Sequence, residues 1–252
     1  MDQKRKIIVA DDSDQLAVIG AELFCETARK AISTTGRFRA AISGGSTPRA
    51  MNRLLSRDPY VSRIAWRKTH LLWVDERLVP ADDPASNFGA ARQDFLEAVP
   101  LPPENIHPMT SDKSPPEAAA DYQKDLENTL RIVKGNLPVF DLIFLGIGQD
   151  GHTASIFPGD QTALETDLWV VAVKGGNPNV HRLTLTRPVL NNAGTAIFLV
   201  SGKNKAGVVK TLLAPQPTHL PARKIKPVHG ELTWLLDRDA AALLPPELIL
   251  KY

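Results

Sequence analysis

From Val139 to Leu145 the chain reads VFDLIFL, an apolar run broken only by Asp141 and lacking the alternation of a half-wet strand. That is the pattern of a strand buried on both faces, which requires cover above and below and so points to a parallel α/β sheet. The run ends in Gly146-Ile147-Gly148, where small residues let the backbone turn closely past another group, and Asp150, Gly151 and His152 follow at once. An acid and an imidazole two residues apart, just past the carboxyl end of a strand, stand where open parallel sheets bind their ligands. Alone, the pair reads either as a catalytic acid and base or as a turn carrying a structural histidine, because Asp-Gly is common in turns.

Similar units fill the rest of the chain. Lys6 to Ala10 reads as a first strand, Asp11 to Asp14 as a capping cluster, and the apolar spacing of Leu16, Ile19, Leu23 and Ala28 as a helix of about 20 residues. Strands are expected at Phe38 to Ser43, His70 to Val74, Leu168 to Val173, His181 to Thr186, Thr195 to Val200 and Gly230 to Leu235. Helices are expected at Asn87 to Val99, Glu117 to Lys134, from the Ser201 to Gly207 turn to Leu213, and at Asp237 to Leu244. Strands and helices in alternation predict one α/β domain over residues 1–252. The register of His181 to Thr186 leaves the direction of Arg182 open.

Two strand-to-helix junctions suit an anion. Gly44-Gly45-Ser46-Thr47-Pro48 offers flexible glycines, with Ser46 or Thr47 as a helix cap and Pro48 in the first turn. It reads either as a phosphate cradle or as a well-capped turn with no ligand. The second, Ser201 to Gly207, carries Lys203 and Lys205, and cations at a helix start are disfavoured by the helix dipole unless an anion sits there. Asp75-Glu76-Arg77, directly after an apolar strand, reads in isolation as a solvated rim.

Composition excludes other classes. With 30 Lys and Arg against 28 Asp and Glu, the net charge of +2 suggests neither a nucleic-acid nor a membrane-surface binder. The single cysteine, Cys25, forms no internal disulfide and fits a reducing compartment, and with no signal-type segment or 18-residue apolar span the expected location is the cytoplasm. No HExxH or Cys/His cluster suggests a metal site, and no Gly-x-Ser-x-Gly elbow suggests a serine nucleophile. Gly146, Gly148 and Gly151 match the bare dinucleotide spacing, but Asp150-Gly151-His152 interrupts the helix start that such a site needs.

In chain order, GGSTP, LLWVDERLVPADDPASNFG, FLGIGQDGHTASIFPG, RLTLT, SGKNKA and LTWLLDRDAA resemble the glucosamine-6-phosphate isomerase/6-phosphogluconolactonase family, over nearly the whole chain. The DER loop and HTASIFPG resemble its lactonase branch. The resemblance implies a single-domain, Rossmann-like, mostly parallel sheet flanked by helices on both faces, of the glucosamine-6-phosphate deaminase/ribose-5-phosphate isomerase-like fold. It implies hydrolysis of 6-phospho-D-glucono-1,5-lactone without metal or organic cofactor, the partner being that phosphorylated sugar lactone and the chain a monomer or weak homodimer. In such a reaction His152 is the expected base, Asp150 its orienting partner or a holder of the water, Arg77 the electrophilic group and Asp75 the residue that positions its loop. Ser43, Gly44, Gly45, Ser46, Thr47, Arg182 and Lys205 are expected around the phosphate, with Lys203 a further candidate. Two other readings stay open: a sugar-phosphate sensor without turnover, and a deaminase. Deaminases of this fold carry a glutamate five residues after the histidine, where this chain has Phe157.

Overall fold

The structure, a computed structural model, describes residues 5–110, 112–130, 136–248 and 250–251. In chain order its elements are β1 (Lys6–Ala10), α1 (Ser13–Thr35), β2 (Phe38–Ile42), α2 (Ser46–Leu55), α3 (Tyr60–Arg63), β3 (Thr69–Trp73), β4 (Asp75–Arg77), α4 (Asn87–Asp94), β5 (Ile106–His107) and α5 (Pro115–Leu130). The second half holds β6 (Leu142–Leu145), β7 (Val170–Gly175), β8 (Val180–Leu185), α6 (Arg187–Leu190), β9 (Thr195–Val200), α7 (Ala206–Leu213), β10 (Glu231–Asp237), α8 (Arg238–Ala241) and β11 (Leu250–Lys251).

Among the described residues, eight strands form one sheet in the order β11-β1-β10-β9-β6-β2-β3-β5, paired in parallel throughout. All four residues of β6 are fully buried, and successive side chains of a strand point to opposite faces, so the sheet centre is covered on both sides. The expected strand from Val139 is shorter at its start, because Val139 is half exposed and Asp141 turns its carboxylate to accept from the Arg39 N–H at 2.8 Å. Helix α1 begins at Asp12, whose carboxylate accepts from the N–H groups of Asp14 and Gln15, and it ends at Gly36 in the left-handed conformation.

Sheet order fixes where a ligand can sit. From β2 the chain moves outward to β3 and β5, whereas from β6 it moves the other way to β9 and β10. The loops after neighbouring strands β2 and β6 therefore diverge, which opens a crevice at their carboxyl ends.

Several expectations change in detail. Asp75-Glu76-Arg77 is a strand rather than a solvated rim: β4 leaves the main sheet and pairs antiparallel with β8, which pairs with β7. Val74 is the junction, its N–H donating to Ile42 O at 2.9 Å in the main sheet while its carbonyl accepts from Leu185 N at 2.8 Å. Helix α4 stops at Asp94, followed by a 3-10 turn over Leu96–Ala98, because Phe95 leaves helical geometry with φ −160°. Ser46 and Thr47 do not cap α2. They are its first residues, and Gly45 stands at the cap with no side-chain hydrogen bond. Residues 131–134 of the expected Glu117 to Lys134 helix lie outside the described residues.

Candidate active site

The crevice is lined by residues from the ends of three neighbouring strands of the main sheet, β2, β6 and β9, from the small antiparallel sheet and from the start of α4. Its first wall is the β2–α2 turn, with Ser43, Gly44, Gly45, Ser46, Thr47 and Pro48 all on the cleft. Gly45 has φ +98°, a conformation L side chains rarely adopt, and a Cβ on Gly44 would lie 1.8 Å from Asn87 Oδ1. With no side chain capping α2, amides of its first turn remain available to an anion.

Strand β4 supplies the second wall. The Asp75 carboxylate is buried and accepts from Ser155 Oγ at 2.6 Å, while Asn87 Nδ2 donates to Asp75 O at 2.9 Å. Arg77 stands opposite Arg182 of β8 in the ladder, and both line the cleft. Like charges directly across a sheet repel. Arg77 Nη1 donates to Ala85 O at 2.6 Å and its Nε has no hydrogen-bond partner; Arg182 is held by Gly175 O at 2.8 Å and Pro178 O at 3.1 Å. Burial, and then the charge of Arg77, lowers the Arg182 pKa from its ordinary value, so two confined guanidinium groups would both gain from an anion in the cleft.

His152 stands on the turn after β6, with Nδ1 2.6 Å from Asp150 Oδ1. Burial pushes the Asp150 carboxyl up, but hydrogen bonds from His152 and its charge outweigh that and hold it below its ordinary value. An ionised carboxylate only accepts, so Nδ1 carries the donated hydrogen, and in the neutral form of the ring Nε2 is then the nitrogen with the lone pair. His152 lines the cleft, whereas Asp150 is not on its lining and serves the imidazole from the side. The turn depends on its glycines: a Cβ on Gly148 would fall 2.1 Å from His152 Nδ1, and Gly151 has φ +81°. Ala154, also on the cleft, has φ 48°, a left-handed conformation that residues other than glycine rarely adopt.

The last wall comes from Leu199, Val200, Ser201 and Lys205. Lys205 Nζ donates to Ile147 O at 2.8 Å, tying the β9 turn to the β6 turn. Burial lowers its pKa while the Asp150 charge acts in the opposite sense. Lys203 is exposed and does not line the cleft.

Of the residues expected from sequence, the cleft thus gathers Ser43, Gly44, Gly45, Ser46, Thr47, Asp75, Arg77, His152, Arg182 and Lys205. Sequence reasoning missed Asn87, which bridges the β2 and β4 walls, and Ser155, which fixes Asp75. For Asn87 a signal existed: Ser86 and Asn87 are adjacent capping-type residues, Ser86 Oγ accepts from Gly89 N at 3.0 Å, and a helix start needs only one.

Comparison with known proteins places the chain by family and fold. The family described as glucosamine-6-phosphate isomerases/6-phosphogluconolactonase matches residues 11–234. The 6-phosphogluconolactonase of Synechocystis is 41% identical over 235 residues, which is 91% of this chain and 95% of the relative. That of Nostoc is 38% identical over 245 residues, covering 96% and 99%. The solved structure of 6-phosphogluconolactonase from Trypanosoma cruzi superposes with a TM-score of 0.84 at 31% identity, covering 97% of this chain and 98% of that one. With its mostly parallel sheet, its switch-point cleft and these matches over almost its full length, the chain belongs to the glucosamine-6-phosphate isomerase/6-phosphogluconolactonase family.

Proposed function

We propose that this chain is a 6-phosphogluconolactonase, hydrolysing 6-phospho-D-glucono-1,5-lactone to 6-phosphogluconate in the second step of the oxidative pentose phosphate pathway. The observation that carries the reading is a carboxylate-held imidazole sharing one cleft with Arg77, Arg182 and Lys205. His152 Nε2 takes a proton from water as its oxygen attacks the lactone carbonyl carbon. The carbonyl oxygen becomes an oxyanion, which Arg77 stabilises. When the tetrahedral intermediate collapses, the bond to the ring oxygen breaks, the imidazolium returns its proton to that oxygen, and the new carboxylic acid ionises to give 6-phosphogluconate. Arg182, Lys205 and the amides of the Gly44 to Thr47 turn hold the phosphate and so bring the carbonyl to the water. Asp75, locked by Ser155, sets the position of the Arg77 strand.

The wider reading is a single domain over residues 1–252, a monomer or weak homodimer, in the cytoplasm; one continuous main sheet supports the single domain and the lone buried cysteine supports a reducing compartment. No metal, organic cofactor, nucleic acid or membrane partner enters it. Among the described residues no helix is long and apolar enough to cross a membrane. The test is acid release from freshly made 6-phosphogluconolactone, measured against its spontaneous hydrolysis. Acceleration proportional to protein is expected; a rate equal to the spontaneous one would favour a sugar-phosphate sensor.

A further inference from the structure

Phe157 lies between two groups that the proposed reaction must hold in register. Its ring centroid is 5.1 Å from that of the His152 imidazole, with the planes at 56°, and the Arg182 guanidinium carbon sits 5.7 Å from the same centroid. Those are the distances of an edge-tilted ring pair and of a cation over an aromatic face. The β7–β8 hairpin allows the ring little movement on its far side. A Cβ on Gly175 would come within 2.9 Å of the ring, and one on Gly176 within 3.1 Å of its Cζ and 2.5 Å of Arg182 Nη2. Both residues are glycine, and Gly175 O also accepts the Arg182 Nε–H. Phe157 is partly buried and packs on the edge of the core, with its ring reaching the two cleft residues.

The hydrogen bond from Nδ1 to Asp150 fixes one atom of the imidazole, and a ring held at a single atom can still tilt. Contact with a second ring removes that freedom. Arg182 has its mobile end fastened to the hairpin by two carbonyls, and the aromatic face completes the cage. We propose that Phe157 is a positioning residue that holds the His152 imidazole and the Arg182 guanidinium at a fixed separation, so that one phenyl ring sets both the base and the phosphate clamp. The inference rests on the reading of His152 as base and Arg182 as phosphate ligand. It carries a kinetic consequence: loss of the ring damages turnover through His152 and phosphate binding through Arg182, in separable parameters.

The experiment compares Phe157→Leu, Arg182→Met, the double variant and Gly175→Ala on 6-phosphogluconolactone and on unphosphorylated gluconolactone. Phe157→Leu keeps apolar bulk without a ring; it should lower kcat about tenfold on both lactones and raise KM about tenfold on the phosphorylated one alone. In the double variant that KM should rise no further than in Arg182→Met, because the ring acts on phosphate only through the arginine. Gly175→Ala leaves the ring in place but presses a methyl on it, and should lower kcat on both lactones, which keeps the test open should Phe157→Leu fold poorly. The proposal is overturned if a folded Phe157→Leu stays within twofold of wild type in both parameters, if the KM losses add in full, or if Gly175→Ala leaves kcat unchanged. An Arg182→Met variant with unaltered phosphate preference overturns the phosphate reading of Arg182 instead, and does so whatever Phe157→Leu shows.

Discussion

His152 has one nitrogen occupied by Asp150 and the other turned to use, and that asymmetry decides what the site can do. Replacing His152 with alanine should lower kcat by about 10²-fold or more while the melting transition stays within a degree or two of wild type, since its side chain carries little of the core. Unchanged turnover in a folded variant would remove it from the mechanism. Phosphate recognition is tested by Arg182→Met and Lys205→Met. Each should raise KM on the phosphorylated lactone by about 10–150-fold, the scale of a charge-assisted hydrogen bond, with little change on plain gluconolactone. Equal losses on both substrates would show that these side chains act on folding or on the turns. Asp150 and His152 were legible in the sequence because their relation is local, two residues on one turn. Arg182 was legible only by resemblance, because its direction is set by the pairing of β8 with β4, which local spacing does not reveal. Lys203 and Lys205 looked alike in the sequence, yet a two-residue step around a tight turn aims one at the cleft and leaves the other in solvent.

At the scale of elements, the β4 segment departs furthest from its sequence pattern. Three charged residues after an apolar strand read as a rim, yet β8, about a hundred residues later, takes them into a second sheet and Glu76 ends 1% exposed. In the main sheet β1, β2, β3, β6, β9 and β10 were readable from their apolar runs, whereas the two-residue strands β5 and β11 were not; β4 was missed because its burial comes from a distant partner. Glu76 uses that burial to shape the site. Its Oε1 accepts from the N–H groups of Arg77 at 2.7 Å and Asn87 at 2.8 Å, and its Oε2 from Phe88 N at 2.7 Å and Ser86 Oγ at 3.4 Å. The carboxylate thereby closes the loop that brings Arg77 and Asn87 to the cleft. Burial pushes its pKa up to about 7, against those three amides, which favour the ionised form. A folded-state value above the unfolded one means that the native protein holds a proton the unfolded chain releases. The stabilisation is therefore full below about pH 4.5 and is lost as pH rises through about 7. Denaturant unfolding should show this element's contribution falling by on the order of 3 kcal/mol between those limits. Glu76→Gln, which cannot titrate, should flatten that part of the profile. A variant with the wild-type slope would assign the pH dependence elsewhere.

The whole molecule places its cleft where the chain reverses its direction of travel across the sheet, and that scaffold can serve more than one chemistry. The family to which the chain belongs holds both isomerases of amino-sugar phosphates and lactonases. A phosphate clamp and an imidazole base suit either; what separates them is the further acid–base equipment. Aldose–ketose isomerisation with loss of ammonia needs groups to open the ring, to take a proton from carbon and to return one elsewhere. Lactone hydrolysis needs one water, one base and one oxyanion stabiliser. Deaminases of this fold supply one of the extra groups from a glutamate five residues after the histidine. Here that position is Phe157, packed at 5.1 Å against the imidazole and beneath the Arg182 guanidinium, so no carboxylate can reach the base from there. The other buried carboxylates near the cleft are engaged: Asp75 accepts from Ser155, and Glu76 is turned into its own loop. The protein should accordingly accelerate lactone hydrolysis and release no detectable ammonia from saturating glucosamine 6-phosphate, both measured on one sample. Phe157→Glu should not confer deamination, because it would place a carboxylate where the ring supports His152 and Arg182, and its expected result is loss of lactonase turnover by about tenfold or more without ammonia. Robust ammonia release by the wild-type protein, with no acceleration on the lactone, would reverse the assignment.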